Sequence, residues 1–199
     1  MEDTKGLKKG MMEIPAPVSS VYCLPHEAQL TVTRKVFSCP WGRFTIKDGK
    51  DGEGTLLFDV KPKDRFIWRK RRVLHDESGQ PLLLLKSMFP SLHHKWAAYR
   101  GGNETDDKLL FTIQKSAFFQ FTPSYDVFLP TNTDPSRPDF TIEGNFLHSA
   151  CTVFYKGSRI AKSKRICFST KHVLTVYPGA DRAFISALVI ILYSECGQH

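Results

Sequence analysis

A run of eleven residues, Ala183–Tyr193, most limits how this 199-residue chain can fold. It reads AFISALVIILY, with Ser186 and the Tyr193 hydroxyl as its polar exceptions. Asp181 precedes it after a Pro-Gly-Ala turn and is suited to cap a helix. A helix that is apolar all round is buried on every side. A membrane anchor is the alternative, but a span takes about 20 apolar residues, and eleven rise only about 16 Å at ~1.5 Å each. The β-branched Val189-Ile190-Ile191 leaves a strand open, although length, composition and the Asp cap favour a helix.

The rest of the chain defines what could surround such a helix. Between about residues 29 and 177, short runs rich in Val, Ile, Thr and aromatics alternate with Gly, Pro, Asp and Asn, which is the pattern of strands and turns. Twelve such runs are predicted, at 29–37, 42–48, 55–60, 65–74, 82–87, 93–100, 108–116, 124–129, 139–146, 150–156, 159–167 and 172–177. In the last, Val173, Thr175 and Tyr177 oppose Leu174 and Val176. In 108–116, Leu109, Phe111 and Ile113 fall on one side. A barrel of about eight strands has room only for side chains, whereas about eleven strands hold a central helix. The expected fold is therefore all-β: a closed barrel of roughly twelve strands around the apolar C-terminal helix. A weak repeat agrees with it. Similar hairpin-like units begin at Phe44, Trp96 and Cys151, and repeated hairpins can build a large closed sheet. Residues 1–24 lack periodicity and read as a mobile N-terminal arm, which leaves 25–199 as one domain.

Composition narrows the setting. The formal charge of +8 favours anionic partners. Five cysteines, Cys23, Cys39, Cys151, Cys167 and Cys196, form no CxxC pair, and no secretory signal opens the chain, so reduced thiols inside a cell are expected. Glu2 stands where myristoylation needs Gly.

Two basic segments are candidates for anion contact. Lys61–Arg72, KPKDRFIWRKRR, carries seven bases and one acid. In a strand Arg69 and Arg71 point opposite to Lys70 and Arg72. Both sets cannot enter an apolar interior, so a strand end or an exposed edge is expected. Lys156–Arg165, KGSRIAKSKR, carries five bases and no acid. Each segment reads as a solvated surface or as a phosphoinositide or anionic-membrane site, and Arg69–Arg72 also as a nuclear-import or nucleic-acid segment. If adjacent, they would form one cradle for phosphate headgroups, with Arg69, Lys70, Arg71, Arg72, Lys162, Lys164 and Arg165 as its contacts.

Other constellations point away from catalysis and metals. His93-His94 face opposite ways on a strand and lack ligand partners. His75-Asp76-Glu77-Ser78-Gly79 has triad residue types in one tight turn, whereas a triad converges from separate elements, and no G-x-S-x-G elbow occurs. Asp48–Gly54 fails as a calcium loop because Lys50 and Gly52 occupy ligand positions. Trp41, Trp96, Phe118, Phe119 and Phe121 suit barrel packing better than base stacking.

The sequence resembles the plant LURP-one-related proteins from Leu30 to Glu195. The likeness is carried by LTVTRK at 30–35, FTIKD at 44–48, LLFDV at 56–60, LHDESGQPLLLLK at 74–86 and HHKWAAYRG at 93–101. It continues through LFTIQKS at 110–116, FTIEGNF at 140–146, CTVFY at 151–155 and VYPGADRAFISALVIIL at 176–192. The resemblance implies a tubby-like, twelve-stranded barrel threaded by a helix, shared with phospholipid scramblases. It further implies a non-enzymatic signalling or scaffold module without a cofactor, with phosphoinositide or membrane binding and a link to plant defence. A nuclear or membrane-tethered regulator of transcription is the alternative. No palmitoylated cysteine run or acidic calcium segment of the scramblase kind is present. A monomer in the cytoplasm, at the plasma-membrane surface or in the nucleus is expected, with unknown protein partners and no role for nucleic acid.

Overall fold

The computed structural model describes residues 13–35, 42–63, 70–88, 95–116, 124–145, 150–166 and 169–196. Twelve strands follow one another: β1 (Ala28–Lys35), β2 (Arg43–Asp48), β3 (Leu56–Pro62), β4 (Arg71–His75), β5 (Pro81–Ser87), β6 (Trp96–Arg100), β7 (Leu109–Lys115), β8 (Ser124–Phe128), β9 (Phe140–Asn145), β10 (Ala150–Tyr155), β11 (Ser158–Arg165) and β12 (Lys171–Val176). The helix α1 (Arg182–Cys196) comes last. Every strand pairs antiparallel with its sequence neighbours, and β12 returns to β1 from Ala28↔Val176 to Thr33↔Lys171, which closes the barrel. The three repeat units start on β2, β6 and β10, every fourth strand, so the repeat marks equally spaced hairpins around the wall.

Period-two alternation puts one face of each strand inside. Leu30, Val32, Phe44, Ile46, Phe58, Val60, Leu83, Leu85, Phe111 and Ile113 all join one core with α1. Leu109 departs from its expected side and packs on a smaller outer cluster with Val73, Leu84, Ala97 and Tyr99, because the register slips opposite Ala98/Tyr99. The helix fills the barrel. Residues 183–192 are at most 1% exposed, and Phe184 meets Phe111 edge-on at 5.0 Å and Phe140 at 4.8 Å. Among the described residues no helix is long and apolar enough to cross a membrane.

The antiparallel meander gives the barrel two mouths. At the first, α1 begins and the even-to-odd strand connections lie. At the second, α1 ends and the odd-to-even connections lie. Asp181 closes the first mouth. One carboxylate oxygen accepts the amides of Ala183 and Phe184 at 2.9 and 3.1 Å, and the other accepts Val18 and Ser19 at 2.8 and 3.0 Å. Burial raises this carboxyl above its ordinary value, against the pull of the amides. Arg100 and Arg182 donate to the carbonyls of Val18 and Tyr22, and Tyr22 packs edge-on against Phe58. From residue 13 the segment expected to be a free arm is therefore docked, with Val18 in the core. Residues 1–12 lie outside the described residues.

Candidate functional site

The cluster expected at 69–72 is divided by the alternation of β4 and largely engaged within the protein. Arg69 lies outside the described residues. Lys70 is 3.6 Å from Glu195 near the end of α1, and Glu195 also accepts the Trp96 indole N–H at 3.0 Å. Arg71 points outward and meets Glu104 at 2.9 Å, where Lys86 also binds. Arg72 turns inward, contrary to the expected exposed edge. It is 7% exposed, donates to the Gly42 carbonyl at 2.7 Å and stands 5.2 Å from the Phe44 ring centroid. A guanidinium is tolerated there because a carbonyl and an aromatic face receive it. A closed barrel also leaves no edge strand.

The second cluster is presented differently. Lys162, Lys164 and Arg165 are exposed on β11. Lys162 lies 5.9 Å from the Tyr177 ring centroid, and Arg165 donates Nε to the Ser169 carbonyl at 3.1 Å. Neither contact cancels a charge, and among the described residues no carboxylate forms an ion pair with these three. The two clusters do not form one cradle, since β3, β2, β1 and β12 separate β4 from β11. They share only the second mouth.

Asp59 anchors the wall between β2 and β3. Arg43 grips both its oxygens and Lys61 approaches to 3.3 Å. Burial alone would raise the Asp59 carboxyl, but Arg43 and Lys61 outweigh it and hold the group below its ordinary value. Glu104 is also held low, first by Lys86. A carboxylate with a depressed folded pKa contributes stability that is complete above its unfolded value and lost as pH falls through the folded one. The melting temperature is therefore expected to fall between about pH 5 and pH 2. The fall should shrink in a D59N/E104Q variant, and an unchanged pH profile would show that these pairs contribute nothing.

The remaining candidates are structural or lie beyond view. His75 Nδ1 sits 3.2 Å from the Asp59 carbonyl, while Asp76 accepts the Ser78 amide and hydroxyl and the Gln80 amide, so HDESG is a β4–β5 turn. Asp48–Gly54 is the β2–β3 turn, with left-handed φ at Gly49 and Gly52 and the Asp51 carbonyl accepting from Lys171. Among the described residues no group of His, Cys, Asp and Glu could hold a metal. His93, His94, Trp41, Phe118, Phe119 and Phe121 lie outside the described residues. Trp96 is buried in the core.

A family model described as LURP-one-related matches residues 28–193, from the first residue of β1 into the last turn of α1. The chain belongs to the LURP-one-related family. Among its LURP-one-related relatives, protein LURP-one-related 15 of Arabidopsis thaliana is 35% identical, covering 88% of this chain and 83% of that protein. Protein LURP1 of the same plant is 33% identical, covering 88% and 87%. An X-ray structure of an Arabidopsis thaliana protein matches with a TM-score of 0.71 at 33% identity, over 89% of this chain and 96% of that one. In this LURP-one-related chain, the matched span contains the whole barrel and every described candidate contact.

Proposed function

We propose that this LURP-one-related chain is a non-enzymatic signalling module that binds phosphoinositide-bearing, anionic membrane through Lys162, Lys164 and Arg165. The observation that carries the reading is the presentation of these three cations, exposed and without a described acid partner. Lys70 and Arg71 are secondary contacts, since each is already engaged within the barrel, and the inward Arg72 is not a contact in this reading. Arg69 keeps its proposed role from sequence alone. A place at the cytoplasmic face of a membrane and in plant defence signalling belongs to the same reading, with the family resemblance as its support.

Flotation with phosphatidylcholine liposomes, with and without phosphoinositide, tests this at low and physiological salt. The protein is expected to float with phosphoinositide liposomes, less at higher salt. At about 1 kcal/mol per basic residue near such a surface, K162E/K164E/R165E should lower affinity more than tenfold. A variant that floats like the original, or an original that never floats, would refute the reading. Tagged protein found wholly in nuclei and indifferent to lipid depletion would point to the regulator of transcription instead.

A further inference from the structure

The two basic segments are far apart on the wall, yet both reach the second mouth. The strands between them do the same, for a topological reason. In an antiparallel meander every second connection returns to one end, so bases scattered along the sequence gather there if they flank alternate connections. Lys164 and Arg165 end β11, Lys35 ends β1, Arg43 begins β2, Lys61 lies near the end of β3 and Arg71 begins β4. Arg43 and Lys61 are paired to Asp59, and Arg71 to Glu104. Lys171 begins β12 but turns its Nζ to the Asp51 carbonyl of the β2–β3 turn. The acids near this mouth among the described residues are Asp59, Asp126, Glu143 and Glu195, and Glu104 reaches Arg71 and Lys86 from the β6–β7 connection. The first mouth differs. Its connections and strand ends hold the acids Asp48, Asp51, Glu53, Asp76, Glu77, Asp107, Asp134 and Asp139 beside the bases Lys50, Arg100, Lys108, Arg137, Lys156 and Arg182, a mixed surface with acids in excess.

We infer that the second mouth is a docking face and that the barrel stands end-on upon an anionic bilayer, its β11–β12–β1–β2 side nearest the lipid. This rests on the membrane reading above and extends it from a strip on one strand to a rim. Three features support it. From β11 to β4 the rim covers five strand spacings, about 24 Å at ~4.8 Å each, wider than one headgroup and suited to a plane. Met88, 37% exposed, follows β5 at the same mouth and donates its amide to the Lys95 carbonyl, an apolar side chain beside bases as interfacial segments place it. Val21 is more exposed at the first mouth, but there acids and bases are mixed, with acids in excess, and an anionic surface gains less. The mouth ends of β8, β9 and β10 carry Ser124, Asn145 and Ala150, so the rim is basic on one side and the stance is tilted.

The test is flotation of the full chain with phosphatidylserine/phosphatidylcholine vesicles, with melting temperatures confirming that each variant folds. K35E changes the rim on β1, away from the β11 strip. K156E changes the β10–β11 turn at the first mouth, on the same hairpin as that strip. End-on docking predicts that K35E weakens binding at least about fivefold for each charge removed and that K156E leaves it unchanged. If K162E/K164E/R165E abolishes flotation while K35E floats like the original, the strip reading stands and end-on docking falls. Equal losses in K35E and K156E would mean that only net charge matters, which also overturns the stance. If the original floats with no anionic vesicle, or binds duplex DNA and no vesicle, both readings fail.

Discussion

Replacing Leu188 with aspartate should leave the protein unable to fold. Leu188 is 0% exposed at the middle of α1, with the barrel wall on all sides. A carboxylate there has neither water nor a designed partner, and burying it costs several kcal/mol, a large part of the roughly 5–15 kcal/mol that holds a domain together. Leu188→Ala gives a graded measure of the same fact. It removes buried methyl groups without adding charge and is expected to cost about 2–5 kcal/mol. For a domain of this size that lowers the melting temperature by roughly 5–15 °C. A thermal melt of Leu188→Asp within about 2 °C of the original would mean that α1 does not fill the barrel.

Asp181 should rank next. Its carboxylate joins the start of α1 to the docked N-terminal segment by accepting four amides. Asp181→Ala removes a helix cap, worth about 0.5–2 kcal/mol, and strands buried amides of both partners at about 1–3 kcal/mol each. The expected loss is about 3 kcal/mol, roughly 6–12 °C in melting temperature. Hydrogen exchange at Val18 and Ser19 should accelerate with it. Asp181→Asn should help little, because its NH2 group would face one pair of amide donors. Full stability in Asp181→Asn would show that a single acceptor suffices. Unchanged exchange at Val18 in Asp181→Ala would show that the segment is held by its other contacts.

The barrel was legible because the information is local and repeated. Each strand shows itself by period-two alternation between turn residues, and α1 by the absence of any polar stripe. The run read as a strand at 65–74 meets β4 at Arg71–Leu74, with Lys70 outside the strand, and residues 65–69 lie outside the described residues. The docked segment at residues 13–24 was illegible. Val18 is a single apolar anchor in a Pro- and Ser-rich stretch, and its partner, Asp181, is distant in sequence, so neither composition nor period reveals it. The inward turn of Arg72 was hidden likewise, since its acceptor is the Gly42 backbone, which has no sequence signature. The basic rim was recoverable in principle. Lys35 and Arg43 look like isolated surface bases, but they fall at one mouth once charges are assigned to alternate connections of the meander.

In this barrel the wall is synthesised first and its filling last. Strands β1 to β12 leave the ribosome before residues 182–196, and β1 waits for β12 as well. At ~5–20 residues per second, the inward rows of Leu, Ile, Val and Phe remain uncovered for on the order of ten seconds or more. Nascent chains should therefore depend on holding chaperones until α1 emerges. Premature termination within α1 would yield an open, sticky sheet with two free edges, prone to aggregate rather than to persist as a shortened domain.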